Sequence, residues 1–112
     1  TGPAPFYKEL GKKFGPSDLG FGNLGAYNFY PIIPVKDKST AHANPEELLS
    51  LMKDLEVKKV IGMHWGTAIL SLEPIWEPPV RFKENAEKFG YEKDEAIIFK
   101  IGEIKKLKDL IN

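Results

Sequence analysis

The sequence contains no cysteine, no net charge and no long apolar run. Without cysteine, disulfide scaffolds and thiolate zinc sites are excluded, so histidine and carboxylate side chains are the only strong metal ligands. The 16 basic and 16 acidic residues balance, which argues against electrostatic binding to nucleic acid. The most apolar stretch, residues 61–70, is far shorter than the roughly 20 residues that a membrane-spanning helix needs.

The composition is that of a globular protein. Of the 112 residues, 42% are hydrophobic and 12% aromatic, which is enough to form a buried core. Repeats and low-complexity tracts are absent from the sequence, and no change of composition marks a second domain. The chain does not begin with methionine and shows no targeting segment, so we expect either a processed protein or a fragment. One domain, or part of one, is therefore predicted.

Helices and strands are predicted from the spacing of apolar residues and from helix-ending signals. We expect helices over residues 4–13, 44–55 and 78–89, and strands over residues 18–26, 60–64 and 96–101. Glycines inside residues 18–26 indicate a backbone that packs close to another element. Residues 27–43 are predicted to form a long loop. The tail from residue 104 fits either the second strand of a hairpin or a short closing helix.

The two histidines are the candidate functional residues. His64 follows the predicted buried strand at its carboxyl end, where α/β proteins commonly place functional groups. His42 ends the long loop, just before the Asn44 cap of a helix. A helix followed by a strand can return both histidines to one edge of a sheet. The alternatives are a backbone-bonded His64 and a solvated loop His42.

Other functional patterns are weak or missing. Ser39 and Ser71 lack the glycine-rich elbow of a nucleophile, and neither a dinucleotide fingerprint nor a phosphate-binding loop is present in the sequence. Three carboxylates lack metal-ligand spacing: Asp18, Glu73 and Glu77. Three aromatic residues fit either an acyl pocket or plain core: Tyr27, Trp65 and Trp76.

The order of several short motifs resembles a known family. The motifs are TG at residue 1, FGPSDL at 14, LGAY at 24, HANPEEL at 42, MHWGT at 63 and EPP at 77. Together they resemble the C-terminal half of the N-acylphosphatidylethanolamine-hydrolysing phospholipases D, within the metallo-β-lactamase fold. The resemblance implies an α/β (α+β) class and the C-terminal half of a four-layer αββα sandwich. Residues 1–112 would then be the C-terminal portion of the domain, whose N-terminal half is absent from the sequence.

The resemblance also implies a site and its cofactor. The complete domain holds two zinc ions, of whose ligands this chain supplies at most one, His64. His42 matches a catalytic histidine that lies near the lipid phosphate without binding metal, and Tyr27 and Trp65 are expected to contact substrate with it. The reaction implied is hydrolysis of N-acylphosphatidylethanolamine to N-acylethanolamine and phosphatidic acid. The loop at residues 27–42 lacks the family's Pro-Arg-Trp-Phe-Met-like segment, so lipid specificity is the feature most open to change.

Partners and alternatives follow from this resemblance. The expected partners are the N-terminal half of the same fold and a phospholipid substrate, with no nucleic acid and a possible homodimer. We expect a cytoplasmic protein, or one peripheral at a membrane surface. The alternative functions are hydrolysis of a soluble phosphoester or lactone by the same fold, and an inactive fragment that acts as an interaction module. With one expected ligand, the 112-residue chain alone is predicted to be inactive.

Overall fold

The computed structural model describes residues 2–35 and 41–111, and within them the strands form one parallel sheet. Its elements are, in chain order, α1 (Tyr7–Phe14), β1 (Ser17–Asn23), α2 (Pro45–Asp54), β2 (Val57–Met63), α3 (Glu77–Asn85), a 3-10 turn (Glu87–Phe89), β3 (Ala96–Ile98) and α4 (Leu107–Ile111). The strand order is β1-β2-β3, so β2 is central. In register, Gly20 of β1 pairs with Val60, which pairs in turn with Ala96 of β3. The predicted mixed α/β class is confirmed.

Helix α2 begins at a capping box. The Asn44 side chain accepts a hydrogen bond from the Glu47 backbone N–H at 2.8 Å, and the Glu47 carboxylate accepts one from the Asn44 N–H at 3.0 Å. Pro45 occupies the first turn, where its missing N–H costs nothing. The apolar spacing that predicts this helix places Leu48, Leu51, Met52 and Leu55 on one stripe. The first three are buried, and Leu55 is partly buried against the core.

The glycines of β1 let α2 approach the sheet closely. A Cβ atom on Gly20 would lie 2.8 Å from the Met52 sulfur, and one on Gly22 would lie 2.2 Å from a Leu48 methyl carbon. Any larger side chain would push the helix away. The sequence prediction that this glycine-rich strand packs close to another element is confirmed.

The core lies between α2, α3 and one face of the sheet. Fully or nearly fully buried members of it include Leu24, Leu49, Val60, Phe82 and Tyr91. Side chains alternate along a strand, so the face opposite α2 carries Phe21 and Met63. These two residues are 58% and 48% exposed. Ile61, which pairs with Phe21 on that face, is only 4% exposed. Within the described part of the chain, the face opposite α2 is therefore covered in part.

Several predicted boundaries move. Strand β1 ends at Asn23 rather than residue 26, since Ala26 has a φ of 63° that no extended strand adopts. Strand β3 ends at Ile98 rather than residue 101. Helix α1 starts at Tyr7, three residues later than predicted, and α3 gives way to a 3-10 turn before the left-handed Gly90.

Two regions remain to be compared with the sequence predictions. The sequence left two alternatives for the tail from residue 104, and the long loop at residues 27–43 lies partly outside the described residues. The tail forms the short helix α4 instead of a hairpin strand. Residues 27–35 and 41–43 contain neither helix nor strand, as the long-loop prediction requires. Residues 36–40, with Ser39, and Thr1 lie outside the described part of the chain. Among the described residues, no helix combines the length and the hydropathy needed to cross a bilayer.

Candidate active site at the carboxyl edge of the sheet

The structure brings the two histidines together. The centroids of the His42 and His64 rings lie 5.2 Å apart, and the ring planes are tilted by 32°. His42 precedes α2, and His64 directly follows β2. Because β1 and β2 are parallel, the chain leaves both strands at the same edge of the sheet. The predicted return of both imidazoles to one edge is therefore what the structure shows.

His64 is held in an uncommon backbone conformation. Its φ of 60° is left-handed, which is rare for a residue other than glycine and often marks a functional position. The His64 carbonyl accepts the Gly25 N–H at 3.1 Å, and a Cβ atom on Gly25 would lie 2.6 Å from that oxygen. The His64 side chain is exposed. No described residue hydrogen-bonds its imidazole, so the ring is available as a ligand.

His42 is oriented by the last residue of β1. The Asn23 side-chain nitrogen lies 3.3 Å from His42 Nδ1. With the Asn23 amide in this orientation, its nitrogen donates and Nδ1 accepts. Burial lowers the pKa of the His42 imidazole below its ordinary value of 6.5, the His64 ring lowers it too, and the Glu73 carboxylate opposes both.

A cavity of about 410 Å³ opens beside His64. His64 and Trp65 form one side of it, Gly25 and Ala26 another, and the loop at residues 68–75 forms the rest. The Trp76 ring lies 5.7 Å from the Trp65 ring. The loop presents exposed apolar side chains at Ile69, Leu70, Leu72 and Ile75. Exposed apolar side chains gathered around a cavity are typical of a binding site for an apolar group.

Glu73 connects this loop to the segment that follows β1. Its Oε1 accepts the Ala26 N–H and the Ser71 hydroxyl, both at 2.6 Å, and its Oε2 accepts the Asn28 N–H at 3.0 Å. Burial raises the pKa of the Glu73 carboxyl group, whereas the hydrogen bonds from Ser71 and the backbone lower it. The hydrogen bonds outweigh burial, so the pKa lies below its ordinary value of 4.5. Sequence reasoning considered Glu73 only as a metal ligand, because its partners at Ala26 and Asn28 are more than 40 residues away.

Tyr27 lies beneath the site, where the sequence predicted a substrate contact. Its side chain is fully buried, and its hydroxyl donates a short hydrogen bond to Glu77. The Arg81 guanidinium lies 5.1 Å from the Tyr27 ring and pairs with Glu46 at 2.8 Å. Burial raises the pKa of Tyr27 far above its ordinary value, and Glu77 adds to that rise. The described contacts of Tyr27 are structural, and its contact with substrate stays a prediction.

The described residues offer an incomplete set of metal ligands. Within residues 2–35 and 41–111, no group of three or more histidine or carboxylate side chains is arranged to hold a metal ion. Asp18 pairs instead with Lys58 at 2.7 Å on the surface. A catalytic zinc site uses three protein ligands, so the described residues alone do not complete one, and the role of His64 as a metal ligand stays a prediction.

Comparisons with known proteins agree with this picture. No family model matches the chain. The mitochondrial N-acyl-phosphatidylethanolamine-hydrolyzing phospholipase D of Saccharomyces cerevisiae is 48% identical over 50 residues, which are 45% of this chain and 11% of that protein. N-acyl-phosphatidylethanolamine-hydrolyzing phospholipase D 1 of Caenorhabditis elegans is 34% identical over 79 residues, 70% of this chain and 21% of that protein. The chain thus matches about a tenth to a fifth of these relatives' lengths.

A solved structure supports the fold. Igni18, a metallo hydrolase from the archaeon Ignicoccus hospitalis, matches 88% of this chain and 33% of its own chain. The TM-score is 0.55 and the sequence identity is 21%, a likeness that concerns the fold. The family recognised from the sequence motifs is therefore confirmed: the chain has part of a metallo-β-lactamase-type hydrolase fold and is similar to the N-acylphosphatidylethanolamine-hydrolysing phospholipases D.

Proposed function

We propose that this chain is part of a zinc-dependent phosphodiesterase of the phospholipase D type, which hydrolyses N-acylphosphatidylethanolamine to N-acylethanolamine and phosphatidic acid. The observation that carries the proposal is the facing pair of imidazoles, 5.2 Å apart, at the edge of the apolar cavity. The names of the yeast and nematode relatives support the same substrate. The cavity supports it further, since a phosphodiester with an apolar tail needs a polar site beside an apolar one.

The roles proposed for the residues follow from their positions. His64 would supply one metal ligand. When bound, zinc would neutralise phosphate charge and make a nucleophile available from water near neutral pH. His42 would orient a phosphate oxygen by a hydrogen bond or protonate the leaving group, because its ring faces that of His64. Trp65 would contact the apolar part of the substrate, and Tyr27 would support the strand-end segment from below.

The partly covered sheet supports the proposal of a second half. Phe21 and Met63 stand on the face opposite α2 and are about half exposed. This chain corresponds to 33% of the Igni18 chain, so most of that neighbour lies outside the matched region. We propose that the N-terminal half of the same fold covers this face and brings the remaining metal ligands. Within this proposal, the 112-residue chain alone is inactive.

The test is release of N-acylethanolamine by two polypeptides, the 112-residue chain and one that also contains the preceding half. We expect turnover only from the longer polypeptide, its loss on chelation and its recovery with zinc. A His64→Ala variant should lose at least about a hundredfold, since even groups that merely orient metal ligands cost about 10- to 100-fold. The matched control is Glu84→Gln, an exposed change away from the site, which should retain full activity.

Several outcomes would contradict the proposal. Hydrolysis of soluble phosphoesters or lactones without hydrolysis of the lipid would show that the proposed substrate is wrong, although the fold would stay the same. Turnover that resists chelation would exclude the metal. Robust zinc-dependent turnover by the 112-residue chain alone would show that its own residues complete the site.

A further inference from the structure

One carboxylate ties together the two segments that line the cavity. The Glu73 carboxylate accepts three hydrogen bonds. Its Oε1 accepts from the Ala26 N–H and the Ser71 hydroxyl, and its Oε2 accepts from the Asn28 N–H. Beside it, the Leu72 N–H donates to the Asn28 carbonyl at 2.8 Å. The loop that follows His64 is thus fastened to the segment that follows β1.

The contacts require a carboxylate rather than an amide. Both oxygens accept hydrogen bonds, and the two backbone donors go to different oxygens. Glutamine has the same shape but only one accepting oxygen, and its NH₂ group would face one of these N–H groups. Hydrogen bonds to an ionised acceptor are also about twice as strong as neutral ones. Glu73→Gln is therefore a substitution that removes the tie and conserves the volume.

Apart from the hydrogen bond between the Leu72 N–H and the Asn28 carbonyl, little else in the described contacts holds the loop in place. Ile69 and Leu70 are 85% and 60% exposed, and Ile75 is 43% exposed, so their packing against the core is slight. The same side chains supply much of the cavity wall that faces His64. A loop with exposed apolar side chains and few buried contacts opens at low free-energy cost unless specific hydrogen bonds hold it. The position of the wall thus depends on Glu73.

We propose that Glu73 is a positioning residue: it keeps the apolar loop at residues 68–75 against Ala26 and Asn28, and so selects phosphodiesters that carry a long apolar tail. This inference rests on the proposed function and adds a determinant of substrate choice to it. Glu73 acts through the loop and not on the reacting phosphate. Its loss should therefore weaken binding of the tail, and it should affect the chemical step only slightly, through the weak upward effect of the carboxylate on the pKa of His42.

The first experiment measures tail binding by the 112-residue chain. The chain has two tryptophans. Trp65 lines the cavity, and the Trp76 ring lies 5.7 Å from the Trp65 ring, so tryptophan emission reports on this region. Dodecyl phosphate is titrated below its micelle concentration, with inorganic phosphate as the tail-free probe. Glu73→Gln should weaken dodecyl phosphate binding about tenfold, because ionic hydrogen bonds are lost.

Two further variants keep the experiment decisive. Ser71→Ala removes one donor and leaves both backbone contacts of Glu73, so it should weaken binding by about two- to threefold. Glu84→Gln, the exposed control, should bind like the wild type. Circular dichroism checks that each variant is folded, and if Glu73→Gln is not, Ser71→Ala decides. Unchanged binding by a folded Glu73→Gln, or wild-type chain that does not bind dodecyl phosphate, would overturn the inference.

The second experiment separates this inference from the proposed function. In the longer polypeptide, Glu73→Gln should raise KM for N-acylphosphatidylethanolamine about tenfold while kcat stays within about twofold. Hydrolysis of bis(4-nitrophenyl) phosphate, which has no long tail, should stay within about twofold. An equal loss on both esters would overturn tail selection. If the wild type hydrolyses neither ester, the proposed function fails, and the dodecyl phosphate titration still decides the role of Glu73.

Discussion

Two regions of the molecule differ in how far their apolar side chains are buried. One is the sheet with its covering helices, and the other is the set of loops at the carboxyl edge of the sheet. In the first region, called here the body, Leu49, Val60 and Phe82 are fully buried. In the second, called here the edge and made of residues 25–35 and 64–76, Ile69 and Leu70 are largely exposed, although Tyr27 is buried. The edge also contains Ala26 and His64 in left-handed conformations.

This difference teaches where stability and function are located in the chain. The body gains free energy from burial, whereas the edge leaves more apolar surface in water. The edge also holds two of the three left-handed residues other than glycine among the described residues, the third being Glu56 before β2. Neither property of the edge helps the fold, and both are common at binding sites. Substitutions in the two regions should therefore have different effects, and the following predictions measure that contrast.

The largest effect is expected in the body. Phe82→Ala should lower the free energy of unfolding by about 3–5 kcal/mol, because a fully buried aromatic ring leaves a cavity. Ile69→Ala, at the edge and 85% exposed, should change it by less than about 0.5 kcal/mol. Chemical denaturation followed by circular dichroism measures both. Similar losses for the two variants would show that the edge is packed as tightly as the body.

A smaller effect is expected at Glu73 and should depend on pH. The pKa of Glu73 is lowered in the folded chain, so its contribution to stability is present above its ordinary value of 4.5 and is lost as pH falls through the folded pKa. Glu73→Gln should cost about 1 kcal/mol at pH 7, a value reduced by solvent screening, and less as the pH falls below 4.5. Unfolding measured from pH 3 to 7 tests this. A cost that is constant across that range, or one equalled by Glu84→Gln, would contradict it.

An effect of similar size concerns the strained backbone of His64. At a φ of 60°, alanine pays a steric penalty that glycine avoids, so His64→Gly should be about 1 kcal/mol more stable than His64→Ala. Both variants lack the imidazole and should be equally inactive. Thermal unfolding of the pair provides the comparison. Equal stability, or a more stable alanine variant, would show that the left-handed conformation at this position is not retained.

The body could be read from the sequence because its signals are local. The Asn44 cap, Pro45 and the apolar stripe predict α2. The glycines of β1 predict a close approach by another element, which the structure shows to be that helix. Even the pairing of His42 with His64 follows from a helix that returns the chain to a neighbouring parallel strand. The ordinary rules of α/β topology were enough to predict that His64 lies at the carboxyl end of β2.

The rest of the edge could not be read because its contacts are distant in sequence. Glu73 binds Ala26 and Asn28, and nothing in the local sequence around any of them indicates the others. Tyr27 looked like a residue of the pocket, yet its hydroxyl is bound by Glu77, 50 residues away. The left-handed Ala26, which ends β1 early, also has no signal in its residue type.

The facing imidazoles can be tested directly by a nuclear Overhauser measurement between their ring protons. The chain has only two histidines, so His42→Ala and His64→Ala variants assign both rings. With centroids 5.2 Å apart, we expect a clear cross-peak between the two rings in the wild-type chain. Assigned rings without a cross-peak would contradict the site and, with it, the function proposed for this edge of the sheet.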